Sequence, residues 1–358
     1  MTWLDEFAAN HGPTVRIVVE GLAQVERVFG AAMASDLDCV GDLCARVQRY
    51  RGKMLRPAMT LLSGMAAAPA PDTPPTQEQA RLAAVVEMIH VATLVHDDVL
   101  DEASVRRSKP TISALRGNEA AVILGDYLIS AAFHLCSFLD DQRVALRVGE
   151  ITGRVCEGEL LQLHHRHDLT LDERTYRAII ERKTASLIGV ACELGAGFSG
   201  ADEAARGRLR AFGVKLGVAF QIQDDLLDLT GDERVVGKSL GKDLEKGKLT
   251  LPLIHHLRVA GGDRRAGSAL LLKRVWRGEL GHDEEPHAGA GASTAVATAT
   301  DLRREVRAAL ESTGSIAFAA DAARRAVEEA KAALAAQPDS GARRLLFDLA
   351  DAVPSRNH

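Results

Sequence analysis

Apolar residues recur along this chain at three- and four-residue spacing, as at Leu82, Val85, Val86, Ile89 and Thr93, and again at Phe212, Leu216, Ala219, Phe220 and Gln223. This is the period of one helix face. No proline falls between Pro110 and Pro252, where Ala, Leu, Glu and Arg dominate, and aromatic residues make up only 4% of the chain, a composition that favours helices over sheets. The whole chain is therefore expected to be all-α. Two segments interrupt the pattern. Ala66 to Gln77 carries Pro69, Pro71, Pro74 and Pro75 and reads as a loop, while Gly281 to Thr300, rich in Gly, Ala, Ser and Thr around Pro286, reads as a mobile surface insertion. Helices resume near Thr300 or Asp301, and the pattern over Ala317 to Ala336 stops at Pro338. With no shift in composition to mark a boundary, residues 1–358 are expected to form a single domain, one large helical bundle.

Inside two of these apolar stretches lies the same acidic pattern, Asp97-Asp98-Val99-Leu100-Asp101 and Asp224-Asp225-Leu226-Leu227-Asp228. Side chains four residues apart share a helix face, with Cβ atoms about 5–6 Å apart. Asp97 with Asp101, and Asp224 with Asp228, therefore repel each other unless a cation meets them. Their neighbours, Leu94, Val95 and His96 in one case and Phe220 and Ile222 in the other, are not those of a solvated face. Carboxylate oxygens alone suit a hard cation. Neither an EF-hand loop nor the Glu-x-x-His pair of di-iron bundles is present, which favours Mg²⁺ held by carboxylates together with substrate phosphates. Two facing helices of one bundle can build such a site across a cavity.

Charge and leader content narrow the partners. The 358 residues carry a net charge of −5, so the chain lacks a global basic surface and no nucleic-acid partner is expected. Met1 to Glu6 has neither the positive start nor the apolar run of a signal peptide, and no later stretch reads as a transmembrane segment, so a soluble, cytoplasmic protein is expected. The five cysteines, Cys39, Cys44, Cys136, Cys156 and Cys192, show no CxxC spacing and read as reduced core residues. His164, His165 and His167 lack an acidic or thiolate partner at ligand spacing and read as a polar helix end, as does the His255-His256 pair.

Cations that could meet bound phosphate lie close to the acidic motifs. Arg106 and Arg107 follow the first, Lys183-Thr184 follow a helix-like stretch, and Lys238, Lys242, Lys246 and Lys248 crowd the segment after the second. Gly52-Lys53-Met54-Leu55-Arg56-Pro57 adds Lys53 and Arg56, three apart at an expected helix boundary. With Glu87-x-x-His90, Gly125-Asp126, Gln221-x-x-Asp224-Asp225-x-x-Asp228 and Gly247-Lys248-x-Thr250-x-Pro252, these blocks stand in the order found in the trans-isoprenyl diphosphate synthases, or polyprenyl synthetases. From Gly52 to Pro252 the chain resembles that family, and it does so more weakly through its C-terminal helices.

The resemblance implies an isoprenoid-synthase-like bundle around a deep central cavity. It implies a prenyltransferase that joins isopentenyl diphosphate to an allylic diphosphate by ionisation, condensation and elimination, giving an all-trans polyprenyl diphosphate. On this resemblance Asp97, Asp101 and Asp224, with Asp228 through water, hold Mg²⁺, about three ions per active site as such sites bind metal with substrate phosphate. Arg106, Lys183 and Lys238 contact the allylic diphosphate, and Lys248 closes over it. Lys53, Arg56, His90 and Arg107 bind the diphosphate of isopentenyl diphosphate, and Thr184 and Gln221 face the allylic carbon. A homodimer is implied as well. Met54 departs from the family, standing where many members have Arg, and the 281–300 insertion is longer and looser than usual.

Three other readings compete. A class I terpene cyclase shares the ionisation chemistry but needs no second diphosphate site, which Lys53, Arg56, His90 and Arg107 would supply here. An accessory subunit of a heteromeric prenyltransferase usually loses an aspartate motif or its lysines, and this sequence keeps both. A short-chain farnesyl or geranylgeranyl diphosphate synthase differs only in how far the product grows.

Product length rests on the helix that carries the first motif, because in the family the growing chain runs along it. Thr93, Ala92 and Ile89, one to two turns before Asp97, then set the depth. Short-chain members place a bulky aromatic near these positions, and small or aliphatic residues here imply a long-chain product. Phe133, beyond Gly125-Asp126, is the next candidate floor, with ordinary core packing as its alternative. Ala92→Phe is expected to shorten the product to the farnesyl or geranylgeranyl range and Phe133→Ala to lengthen it. Mass spectrometry of the dephosphorylated products checks both, and unchanged lengths in both variants discard the assignment.

Overall fold

The computed structural model describes residues 3–48, 52–70, 73–107, 109–231, 241–277 and 299–354. Lys238 and residues 281–298 of the expected insertion lie outside the described residues. A 3₁₀ turn, Trp3–Phe7, leads into α1 (Ala8–Ala32), α2 (Asp38–Gln48), α3 (Leu55–Ala67), α4 (Gln77–Leu100), α5 (Ile112–Arg116), α6 (Asn118–Cys136), α7 (Gln142–His164) and α8 (Glu173–Ile180). There follow α9 (Ser186–Gly197), α10 (Glu203–Thr230), α11 (Lys242–Glu245), α12 (Leu251–Val259), α13 (Gly262–Trp276), α14 (Ala299–Ser312), α15 (Ser315–Leu334) and α16 (Gly341–Ala352). The all-helical expectation holds. Among the described residues the one β pairing is a two-residue antiparallel ladder, β1 (Val105–Arg106) against β2 (Lys109–Pro110), with Val105 opposite Pro110 and Arg106 opposite Lys109.

These residues gather into two compact units. The first takes Met1–Cys156, Arg182–Gly217 and Val327–Ala352, and the second takes Glu157–Glu181, Val218–Ala326 and Val353–His358. The chain crosses from one to the other within helices α7, α10 and α15, between Glu181 and Arg182, and after Ala352.

In the first unit α4 is central, packing on α1, α3, α5, α6 and α9, while α3 also packs on α9 and α16. A capping box fixes its start: the Gln79 N–H donates to Thr76 Oγ1, and the Thr76 N–H donates to Gln79 Oε1. Leu82, Ala83, Ala84, Val85, Val86, Met88, Ile89, Val91 and Ala92 are all buried. The helix is thus enclosed on every side, and the Leu82, Val85, Val86, Ile89 stripe is only part of what it buries. Within this run Glu87 is a carboxylate only 2% exposed. Helices α3 and α9 approach so closely that a Cβ on Gly195 would fall 2.2 Å from the Thr60 carbonyl oxygen. Gln79 Nε2 donates to the Gly195 carbonyl at 2.9 Å, tying α4 to the same point.

In the second unit α12 packs on α8, α13 and α14, and α11 rests on α13. Trp276 Nε1 donates to the Leu244 carbonyl, joining these last two. His256 is buried with both ring nitrogens paired, to Thr313 and Ser268 hydroxyls, and His255 stacks on Phe318 with ring centroids 4.0 Å apart. The pair therefore serves the core instead of a polar helix end, because hydroxyls from neighbouring segments satisfy it there.

Two expectations need correction. Cys44, Cys136 and Cys192 are buried, but Cys39 and Cys156 are exposed, so only three of the free cysteines belong to the core. Helix α6, at 19 residues, is long and apolar enough to cross a membrane by length and composition. Apolar periodicity on both faces gives it that character: one side packs along α4, and Ile123 on it is 67% exposed.

Gly195→Ala is expected to cost about 1–3 kcal/mol, the range for overpacking a filled core. A thermal melt reads this as a lowered Tm. An unchanged Tm would mean that α3 and α9 separate without penalty.

Candidate active site

The C-terminal turn of α4 presents Asp97, and Asp101 is the capping residue, its N–H donating to the Asp97 carbonyl at 2.8 Å. Between α8 and α9 the chain forms a π-turn, Glu181–Ala185. Such turns widen a helix by one residue and recur at functional sites. This one carries Lys183 and Thr184, and it brings Lys183 Nζ within 3.5 Å of Asp97 Oδ2.

Asp98 points elsewhere. It is 1% exposed and accepts from Arg106 Nε at 2.8 Å, while its Oδ2 has no partner among the described residues. Burial pushes its carboxyl up, Arg106 pulls it back, and Asp97 and Asp101 add to the rise. The 101–111 loop is closed by backbone bonds from Ala103 N to Asp98 O and from Thr111 N to Ser104 O, with Thr111 Oγ1 donating to Ala103 O. Arg106 is held by this loop.

A basic cluster forms in the same unit. His90 is kept well below its ordinary pKa, first by burial and then by Arg56, Arg107 and Arg106. It is therefore neutral at pH 7 and adds a hydrogen-bonding group among three guanidinium charges. A Cβ on Gly52 would lie 2.2 Å from Arg107 Nη2, so glycine is what lets that guanidinium rest against the Gly52-Lys53 segment. Met54 and Arg107 both hold left-handed backbone, φ 53° and 50°, a strain found in non-glycine residues chiefly at functional sites. Burial, and then Arg106, push Arg107 down from its ordinary value, and buried Glu87 pulls it part of the way back. Arg56, His90, Arg106 and Arg107 thus come from three separate sequence blocks to one place.

Of the length-setting candidates, Ile89 and Ala92 are buried and Thr93 is half-buried, its hydroxyl donating to the His90 carbonyl. Phe133 is 39% exposed on α6, facing Gly149 of α7. His96 Nε2 lies 3.1 Å from the Val122 carbonyl and 3.6 Å from Asp126 Oδ1, which relates the first motif to Gly125-Asp126.

The second unit holds the second motif at the end of α10. Asp224 is exposed there. Asp228 is 6% exposed, its Oδ2 accepting from the Asp243 N–H at 3.1 Å and its carbonyl from the Gly241 N–H at 2.8 Å. Asp225, 4% exposed, accepts from the Tyr176 hydroxyl at 2.6 Å and from Gln221 Nε2 at 2.8 Å. Its carboxyl is pushed up to about 8, by burial first and by Asp243 next, against the pull of the Tyr176 and Gln221 bonds. Lys248 lies 3.9 Å from Asp243 and donates its N–H to the Asp243 carbonyl. The turn before it is held by the His167 N–H on the Gly247 carbonyl at 2.8 Å. His165 does have an acidic partner, Asp168 at 2.7 Å three residues on, contrary to the expectation that these histidines lack one, and the pair lies just past the end of α7.

No three His, Cys, Asp or Glu side chains among the described residues converge closely enough to enclose a metal alone. The donors still fit a hard divalent cation that shares its coordination with phosphate and water. Burial first, and repulsion from neighbouring carboxylates after it, raises both Asp98 and Asp225, and a nearby cation would relieve the repulsion. Four residues here carried no assigned role in the sequence: Glu87, Asp98, Asp225 and Tyr176. Asp98 and Asp225 were recoverable, since a residue one step along a helix turns about 100° away from its neighbour. Tyr176 gave no local signal.

A family model described as polyprenyl synthetase matches residues 39–275. Heptaprenyl diphosphate synthase component 2 of Bacillus subtilis is 37% identical over 234 residues, 65% of this chain and 66% of that protein. Nonaprenyl diphosphate synthase of Mycobacterium tuberculosis is 32% identical over 337 residues, 94% of this chain and 92% of that one. The crystal structure of a polyprenyl synthase from Caulobacter crescentus, complexed with calcium and isoprenyl diphosphate, matches with a TM-score of 0.82 and 33% identity, covering 98% of each chain. Sequence blocks, helical fold and relatives agree along most of its length, and this chain belongs to the polyprenyl synthetase family.

Proposed function

We propose that this chain joins isopentenyl diphosphate to an allylic diphosphate and repeats the step to give a long-chain, all-trans polyprenyl diphosphate. The observation that carries the reading is an acidic site and a basic site in one unit: Asp97 beside Lys183, and Arg56, Arg106 and Arg107 about His90. The first suits a diphosphate that arrives with divalent cations, and the second a diphosphate gripped by guanidinium groups directly. Condensation needs two such anions at once, and cyclisation needs one. Relatives named heptaprenyl and nonaprenyl diphosphate synthases support the long product.

In this reading Asp97, Asp101 and Asp224 would hold Mg²⁺, about three ions of a kind that shares its ligation with phosphate, and Asp228 would act through water. Bound Mg²⁺ supplies positive charge to the diphosphate leaving group. Lys183, Lys238 and Arg106 hold the leaving oxygens, and Lys248 closes over them. Lys53, Arg56, His90 and Arg107 hold the isopentenyl diphosphate so that its double bond lies against the allylic carbon, and this orientation supplies much of the barrier reduction. Thr184 and Gln221 face that carbon. As the carbon–oxygen bond breaks, the double bond's electrons form the new carbon–carbon bond, and a proton then leaves to the departing diphosphate. The small or aliphatic Ile89, Ala92 and Thr93 leave room for the product, and Phe133 sets its limit.

The protein acts in the cytoplasm as a homodimer, without nucleic acid. Ile123, Phe138 and Leu146, 67%, 55% and 63% exposed in one chain, are apolar surface that a second copy would cover.

Purified chain given Mg²⁺, isopentenyl diphosphate and farnesyl diphosphate is expected to elongate the primer, seen by mass spectrometry of the products, and to stop when the metal is chelated. Asp97→Ala or Asp224→Ala should lower kcat by about 10²-fold or more, the scale on which loss of one transition-state charge partner acts. Arg107→Ala should chiefly raise KM for isopentenyl diphosphate. Cyclic hydrocarbon in place of elongated diphosphate would assign the chain to the cyclases, and turnover only after a second protein is added would make it one component of a heteromer.

A further inference from the structure

We propose that Tyr176 is a positioning residue for the second aspartate motif, holding Asp225 and through it Gln221 and the rotation of α10; this rests on the function proposed above. Tyr176 sits in α8, whose start is set by Asp172 accepting from the Thr175 N–H at 2.7 Å. Its ring is 3% exposed beside Ile179 and Ile180, and its hydroxyl donates to Asp225 Oδ2 at 2.6 Å. Gln221 Nε2 donates to the other oxygen, Oδ1, at 2.8 Å. A single buried carboxyl therefore ties a side chain of α8 to one a turn earlier on α10.

Stability does not explain the arrangement. An apolar side chain of similar size at position 225 would fill the same space without the cost of burying a carboxyl, and such replacements are often neutral or stabilising. What the carboxyl adds is direction. The tyrosine approaches from another helix, so its bond to Asp225 fixes how α10 is turned about its own axis. Asp224, about 100° from Asp225 around that axis, and Asp228, about 60° from Asp225, take their directions from that same rotation. The Gln221 amide is fixed by the same bond, since its NH₂ end faces Asp225 and its carbonyl end must face away. The first motif is built on the same plan, with Asp98 turned inward onto Arg106.

Tyr176→Phe keeps the ring and removes only the hydroxyl. In the elongation assay it is expected to lower kcat about tenfold and to raise the Mg²⁺ concentration for half-maximal rate severalfold, with KM for isopentenyl diphosphate within about twofold of wild type, as loss of an interaction expressed in the transition state would do. Asp225→Asn should also lower kcat, and the double variant should be little worse than either alone, as for residues acting as a unit. A lowered Tm with kcat and Mg²⁺ dependence unchanged would make the hydroxyl merely structural and overturn the proposal, as would fully additive losses. Wild-type protein that forms no product overturns the function reading and this proposal with it. Wild-type protein that elongates beside an unimpaired Tyr176→Phe overturns this proposal alone.

Discussion

A carboxylate set in an apolar helical core must be met by a cation or a hydrogen-bond donor, and that requirement organises both acidic segments of this chain. Each segment divides its aspartates between two tasks. Asp97 lies next to Lys183, and Asp224 is exposed, so the first residues of the motifs are available to charge from outside the core. Asp98 and Asp225 are almost wholly buried and are met from inside, one by Arg106 and the other by Tyr176 and Gln221. Helix geometry enforces the division, because adjacent side chains diverge by about 100°.

The basic side of the chemistry is assembled differently. Arginines 56, 106 and 107 gather around a His90 that stays neutral, and buried Glu87 and the Asp98 pairing set negative charge against Arg107 and Arg106. Left-handed backbone at Met54 and Arg107 adds strain. Helix α4 can carry this because most of its apolar residues are buried and anchor it against α1, α3, α6 and α9.

Much of the fold was legible in the sequence. The helical period around Leu82 to Ile89, the proline-rich break after Ala66, and the stop before Pro338 correspond to α4, the segment between α3 and α4, and the end of α15. Less legible was burial. Period alone marks one buried face, whereas α4 buries them all, and it gave no warning that α6 would be both a packing partner of α4 and apolar on its exposed side. The cysteines show the same limit, since Cys39 and Cys156 are as apolar as the rest and yet lie at the surface. The His255-His256 pair read as a polar helix end, while hydroxyls distant in sequence make it part of a core.

The sequence by itself determined the helical class, the oxygen-rich donors suited to a hard cation, and the family, because period, residue chemistry and the order of blocks are properties of a linear chain. Only the tertiary structure decided that Lys183 meets Asp97, that the Arg107 guanidinium rests on Gly52, and that Tyr176 reaches Asp225. These partners lie far apart in sequence. Their meeting depends on how whole helices pack and turn against one another, which no local propensity encodes.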